Sequence, residues 1–182
     1  EKDWEKNKFS KAKAHLLAFP DKQNLNQKNG AVKYIAHGES LGIHKGYKTD
    51  RTKQLSTLVG NPENSLRVVH VAGTSGKTST SYFMRSMLEA AGKKTGLTVS
   101  PHVMGITERV QVSGQPLSDK TFVRYMNEFF DYIVSAPETP TYFEILIVFA
   151  LWVFDKEGVD YAVIETGLGG LHDSSNICRR ED

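Results

Sequence analysis

The stretch LRVVHVAGTSGKTSTSYFMRSMLEAAG, residues 66–92, decides the fold. Leu66 to Ala72 is a short run rich in β-branched side chains and reads as a strand. Gly73-Thr74-Ser75-Gly76-Lys77-Thr78 interrupts it. From Ser79 to Ala91, the residues Tyr82, Phe83, Met87, Leu88 and Ala91 recur near helical spacing, and Gly92 closes the segment. Strand, glycine turn and helix in that order aim backbone N–H groups at one point, where the helix dipole favours an anion. Gly73 and Gly76 let the backbone approach phosphate oxygens, which a Cβ would hinder. Lys77 would then neutralise the β- and γ-phosphates, and Thr78 would offer a hydroxyl to Mg²⁺. The longer form GxxxxGK[ST] wants Gly at position 71, where Val71 stands, so the match is to the shorter GTxGKT. The plainer alternative is a glycine-rich turn with an ordinary capping threonine.

Outward from this unit, Thr95 to Val99 reads as the next strand, which makes a parallel βαβ unit. Glu108 to Leu117 alternates around Ser113-Gly114, as a hairpin does. Ser118 to Val134 has a helical pattern, with Ser118 as N-cap and Phe122, Tyr125, Met126, Phe129 and Phe130 apolar. Thr141 to Lys156 is a second, more buried helix, and Val159 to Ile164 is a strand running into Glu165 and Gly167-Leu168-Gly169-Gly170. Upstream, Asp50 to Val59 reads as a helix with Asp50 at its N-cap and Leu55, Leu58 and Val59 on one face. Shorter helices are expected around Leu16, Leu17 and Phe19 and around Val32, Ile35 and Ala36. The alternation of strands and helices predicts an α/β fold, a mostly parallel sheet flanked by helices. No internal repeat or low-complexity tract interrupts it.

Length and composition bound this reading. A chain of 182 residues holds one α/β domain and hardly more. With 39% hydrophobic and 24% charged residues it reads as globular. A formal net charge of +2 gives no electrostatic argument for a nucleic-acid or membrane partner. Seven Lys against four acids put +3 on residues 1–30, read as a polar N-terminal extension, which leaves −1 on residues 31–182. Glu1 to Phe9 carry no apolar segment of signal-peptide type. The longest apolar run, Ile145 to Phe154, is ten residues, against the roughly 20 needed to cross a bilayer. The one cysteine, Cys178, excludes an internal disulfide and fits a reducing, cytoplasmic compartment.

Around the glycine turn, a few side chains are placed to hold a metal. Glu165 is expected at the carboxyl end of a strand beside the one that leads into the turn, the edge at which open α/β sheets bind ligands. A carboxylate there can hold Mg²⁺ directly or through water, and a solvated strand-end Glu is the alternative. Ser100, followed by Pro101 and His102, ends the strand 95–99 at the same edge and could add an oxygen. His102 as a general base and His70 as anything beyond a core residue have little behind them. Glu144 in the first turn of its helix could simply answer the dipole.

Three segments together carry a resemblance: HVAGTSGKTST (70–80), TVSPHVMGITERVQVSGQPLSD (98–119) and TYFE with VDYAVIETGLGGLHDSSN (141–144 and 159–176). They resemble the N-terminal part of the folylpolyglutamate synthase/dihydrofolate synthase family, within the Mur ligase superfamily. GIHKGYKTDRTKQLSTLVGNPE (42–63) resembles that family's lead-in. The resemblance runs from about Ala31 to the end.

It implies an ATP- and Mg²⁺-dependent amide ligase that activates a folate or dihydropteroate carboxylate as an acyl phosphate for attack by L-glutamate, in a cytoplasmic monomer. Carried over by position, Gly73, Thr74, Ser75, Gly76, Lys77, Thr78, Ser79 and Asn176 would bind ATP, with Lys77 and Glu165 catalytic. Ser100, Glu165 and Thr78 would be metal ligands. Thr141, Tyr142, Phe143, Glu144, His172, Asp173 and Ser174 would line the substrate side. The sequence departs from the family's GTNGKG[ST] at Ser75 and Thr78, and Leu171 stands where the family's GGRLDATN has Arg. The family's C-terminal glutamate-binding domain has no counterpart in residues 31–182, so the chain alone is not expected to ligate; ADP release dependent on glutamate and a pteroate would show otherwise. A Mur-type ligase of peptidoglycan precursors and a non-catalytic nucleotide-binding module are the competing readings.

Overall fold

The computed structural model describes residues 49–178, so the expected N-terminal extension and the two short helices before Asp50 lie outside the described residues. In chain order the elements are α1 (Thr49–Leu58), β1 (Arg67–Val71), α2 (Lys77–Ala90), β2 (Thr95–Thr98), β3 (Gln111–Val112), β4 (Gln115–Pro116), α3 (Asp119–Ser135), α4 (Tyr142–Lys156) and β5 (Tyr161–Glu165). Short 3₁₀ helices occupy Pro62–Asn64, Ile106–Arg109 and Ser174–Ile177. None of the described helices is long and apolar enough to cross a membrane.

The sheet order is β1-β5-β2-β3-β4. β5 runs parallel to both β1 and β2, and β3 and β4 continue the sheet as an antiparallel hairpin. β1, α2 and β2 thus form the expected parallel unit, but its two strands are not neighbours. β5 is inserted between them. Its side chains explain why: Ala162 and Ile164 face one core, Val163 faces the other, and all three are fully buried. A strand apolar on both faces is suited to the centre of a sheet.

Each face of the sheet carries its own core. On one, Val71, Leu97, Val99 and Val163 pack against Tyr82, Met84 and Leu88 of α2. On the other, α4 is buried along most of its length, with α1 and α3 packed around it. Aromatic rings build that layer: Phe149 lies 5.2 Å from Phe122 and 5.3 Å from Phe129, both edge-on, and 6.2 Å from Trp152.

Local signals set the ends of the elements. Gly92 takes φ +74°, and the N–H groups of Gly92 and Lys93 donate to the carbonyls of Glu89 and Leu88. That satisfies two of the last carbonyls of α2. The Ser118 hydroxyl accepts from the Thr121 N–H at 3.2 Å, as expected of an N-cap. Ser113 and Gly114 both have positive φ, as a tight hairpin turn demands.

Several expectations are corrected. Asp50 lies inside α1 rather than at its N-cap. The inward face of α1 is Thr52, Leu55 and Ser56, leaving Leu58 37% exposed; Ser56 donates to the buried Glu63 carboxylate, which turns the helix that way. On α2, Phe83 and Met87 are exposed and Met84 is turned inward, because the helix lies on the sheet along a different stripe. Glu108 and Arg109 belong to a 3₁₀ helix, not to the hairpin. His70 is exposed rather than core, with Nε2 2.8 Å from the Ser175 hydroxyl.

Cys178 is 7% exposed, and burial, together with the Glu63 and Asp173 carboxylates, pushes its thiol up to about 12. A thiol so protonated reacts slowly. Labelling with a disulfide reagent at pH 8 should therefore be at least about 100-fold slower in the native chain than in urea; equal rates would contradict this burial.

Candidate functional site

The glycine turn leaves β1 at its carboxyl end and enters α2 at Lys77. Gly76 caps the helix at φ +75°, a left-handed conformation that glycine adopts without strain. Gly73 to Gly76 are exposed, so the turn presents its backbone outward. The Lys77 ammonium folds back over the turn and donates to the Gly73 carbonyl at 3.0 Å. Thr74, Ser75 and Ser79 are exposed on the same turn and first helical residues.

Register brings the acid to this turn. Val71, the last residue of β1, pairs with Glu165, the last residue of β5. Glu165 is 2% exposed. Its Oε1 accepts from the Thr78 hydroxyl at 2.8 Å, and its Oε2 accepts from the Ser100 N–H at 3.1 Å. Three segments far apart in sequence thus meet: the start of α2, the end of β2 and the end of β5. The hydrogen bonds of Glu165 come from neutral groups, and the buried Arg109 guanidinium acts on it by charge at longer range. A carboxylate this buried, hydrogen-bonded only to neutral donors, suits a cation. The oxygens of Glu165, Thr78 and Ser100 are hard donors of the kind Mg²⁺ takes, and no group of three or more His, Cys, Asp or Glu in metal-binding array occurs among the described residues. Beside them the Thr166 hydroxyl is buried and unpaired.

The loop after β5 folds on itself. Asp173, 3% exposed, accepts from the N–H groups of Gly167 and Leu168 at 3.1 and 2.9 Å, and from the N–H and hydroxyl of Ser175. Both its oxygens accept hydrogen bonds from within the loop. Asn176 likewise donates to the Leu171 carbonyl at 2.7 Å. His172 is exposed and Ser174 half-buried.

The opening of α4 touches this loop. Thr141 and Glu144 form a reciprocal cap: the Thr141 hydroxyl accepts from the Glu144 N–H at 3.4 Å, and the Glu144 carboxylate accepts from the Thr141 N–H at 2.6 Å. Arg51 completes Glu144, with Nε and Nη2 at 3.2 and 3.0 Å from Oε1. Glu144, 3% exposed, thus caps α4 and joins it to α1. Tyr142 and Phe143 are half-buried. A Cβ on Gly167 would sit 2.6 Å from the Phe143 ring, so Gly167→Ala should cost about 1–3 kcal/mol by overpacking. Thermal unfolding checks this, and Phe143→Leu in the same chain should recover part of the loss.

Residues that the sequence reading passed over hold the segment after β2. The Glu108 carboxylate accepts from the N–H groups of Val103, Met104 and Gly105 at 2.9, 2.6 and 3.0 Å. Those bonds, Val103's first, hold its carboxyl below the ordinary value. Arg109, 7% exposed, donates from Nη1 to the Val99 carbonyl at 3.2 Å and from Nε to His102 Nδ1 at 3.3 Å. Burial, then the Arg109 charge, lowers the His102 pKa, so this imidazole is neutral at pH 7. The only signal in the sequence was an adjacent acid-base pair, Glu108-Arg109, within an apolar stretch. An open cavity of about 410 Å³ lies beside this segment, lined by Met104, Glu108, Pro116, Asp119 and Phe122 among others.

Comparison with known proteins places this arrangement. Residues 71–179 match the Mur ligase middle domain. The chain belongs to the Mur ligase family. Its similar relatives include folylpolyglutamate synthases. The chain is 41% identical over 147 residues to the dihydrofolate synthase/folylpolyglutamate synthase of Bacillus subtilis, covering 78% of the chain and 34% of the relative. It is 39% identical over 120 residues to the mitochondrial folylpolyglutamate synthase of Homo sapiens, covering 63% and 20%. Among solved structures, Mycobacterium tuberculosis folylpolyglutamate synthase complexed with ADP and AMPPCP superposes with a TM-score of 0.69 at 30% identity, covering 81% of the chain and 34% of the other. An FPGS-AMPPCP-folate complex gives 0.73 at 29%, covering 92% and 37%. The chain thus spans about a third or less of the length of these relatives. A separate match, to the C-terminal domain of the type II methyltransferase M.Eco57I, covers residues 1–54, nearly all outside the described residues.

Proposed function

We propose that this Mur ligase chain supplies the nucleotide- and Mg²⁺-binding part of an ATP-dependent ligase that joins L-glutamate to a folate or dihydropteroate. The observation that carries the reading is the buried Glu165 carboxylate, bridged to Thr78 and Ser100 beside the glycine turn and hydrogen-bonded by neutral donors. The names of the relatives and the nucleotide and folate complexes among the structural neighbours support the same substrate class.

In this reading residues 31–182 are the N-terminal part of the ATP-binding domain of a cytoplasmic monomer, and a glutamate-binding domain lies outside them. The turn from Gly73 to Thr78 cradles the triphosphate with its backbone N–H groups, helped by Thr74, Ser75 and Ser79. Lys77 exchanges the Gly73 carbonyl for a phosphate oxygen. Asn176 lies toward the nucleoside. Thr78, Ser100 and Glu165 hold Mg²⁺, which supplies charge neutralisation for the transferring phosphoryl group. A carboxylate oxygen of the pteroate attacks the γ-phosphorus and ADP departs, leaving an acyl phosphate. The glutamate amine then attacks the acyl carbon, losing a proton as phosphate leaves. Thr141, Tyr142, Phe143, His172 and Ser174 border the substrate side.

The test is Glu165→Gln, which keeps the shape and removes the charge. In calorimetry of the chain, Mg²⁺ should enhance ATP binding at least about tenfold less in the variant than in the parent, while ATP binding without divalent cation changes less than about threefold. Equal metal dependence in the two would remove the metal assignment. Glutamate addition to dihydropteroate by the full-length protein, as against turnover of a UDP-linked peptide precursor, then separates the two kinds of ligase.

A further inference from the structure

The segment from Val99 to Gly105 is ordered in an unusual way. Its tip residues Val103 and Met104 are 84% and 91% exposed, so burial of their side chains does not hold it. Polar ties do, and they come from two adjacent residues. Glu108 collects the N–H groups of Val103, Met104 and Gly105, and Arg109 grips the Val99 carbonyl and His102 Nδ1. The 3₁₀ helix that carries both, Ile106–Arg109, is anchored in the core by Ile106, 4% exposed, and is followed by Val110, 0% exposed. A continuous line of contacts thus runs from the core through Glu108 and Arg109 to both ends of the segment, and from the segment through the Ser100 N–H to Glu165.

We propose that Glu108 and Arg109 are positioning residues of the metal site, a paired clamp that holds the Val99 to Gly105 segment so that Ser100 stays on Glu165. This rests on the function proposed above. Neither side chain need touch the metal. Their effect passes through Ser100, and Arg109 also acts by charge on Glu165, as partners behind a ligand commonly set its affinity. Arginine is suited to the inner position because its planar fork reaches a carbonyl and an imidazole together, which a single ammonium does not reproduce. The clamp also fixes where the apolar tip at Val103 and Met104 is displayed, beside the opening of the neighbouring cavity.

The experiment uses the whole chain, Mn²⁺ as the metal probe and a non-hydrolysable ATP analogue. Arg109→Lys and Glu108→Gln should each weaken Mn²⁺ binding to the analogue complex by about tenfold or more. Binding of the analogue in EDTA should stay within about threefold of the parent, since the glycine turn is untouched. Val148→Ala, a core substitution in α4 that removes no hydrogen bond of the clamp, is the control for general loosening. Its unfolding temperature should fall while its Mn²⁺ affinity stays at the parent value. Parental Mn²⁺ affinity in both clamp variants overturns the inference and leaves the proposed function standing. An equal loss in Val148→Ala overturns it too, since loosening alone would then suffice. A parent chain whose analogue binding is indifferent to Mn²⁺ overturns the proposed function itself.

Discussion

Lys77→Ala is expected to lower the affinity of the chain for Mg-ATP by about a hundredfold while leaving its fold intact. The Lys77 ammonium is held over the glycine turn by a bond to the Gly73 carbonyl, 3.0 Å away, and is the cation of the turn itself. A charge-assisted bond from an ammonium to a phosphate oxygen contributes roughly 1.5–3 kcal/mol, and about 1.4 kcal/mol is tenfold in affinity. The first turn of α2 does not depend on that side chain, because its carbonyls and N–H groups are paired by the backbone, as in the Thr80 N–H to Gly76 carbonyl bond at 2.9 Å. Circular dichroism of the variant should match the parent. Calorimetry giving parental ATP affinity would remove the phosphate-binding assignment of the whole turn.

Phe149→Ala should be the most damaging single change to the fold. Phe149 is 0% exposed at the middle of α4 and meets Phe122, Phe129 and Trp152 at once. Truncating a ring in such a place removes its transfer energy and leaves a cavity that neighbouring rings cannot fill, about 3–5 kcal/mol in all. A domain of ordinary stability has only about 5–15 kcal/mol to lose. Urea unfolding should show a large drop in midpoint, and Phe149→Leu should recover most of it. A midpoint within experimental error of the parent would mean that the ring cluster is not the centre of this core.

How much of this was legible beforehand depended on the range of the interaction. Ser118 and the pair Thr141 and Glu144 were readable as helix starts because a cap bonds to residues two or three away. Gly92 was readable as a helix end, and Ser113-Gly114 as a hairpin, for the same reason. The glycine turn and Glu165 were placed at the right ends of their strands because strand direction follows from the alternation of strand and helix patterns. Periodicity was less reliable for facing: it named Phe83 and Met87 as apolar, and both are exposed. Spacing shows which residues share a stripe but not which stripe lies on the sheet.

Asp173 and Glu144 mark a second limit. The resemblance implies a substrate-lining place for both, and the structure adds that each is buried and bonded to backbone N–H groups, Glu144 also to Arg51, 93 residues earlier in sequence. Nothing local distinguishes a carboxylate that faces a ligand from one that ties down a loop. Arg109 is the converse case, a buried guanidinium that the sequence reading did not select and that the fold places behind the segment following β2.

By itself the sequence determined the pieces: a strand, a glycine turn with Lys77 at the start of a helix, an acid at the end of a later strand, and an apolar helix too short for a bilayer. Each follows from side-chain chemistry acting over a few residues. Only the tertiary structure decided that β5 enters between β1 and β2, and that Glu165 thereby meets Thr78, 87 residues before it, and Ser100, 65 residues before it. That choice is made by burial on both faces of one strand at once, a property of the packed sheet that no single segment carries.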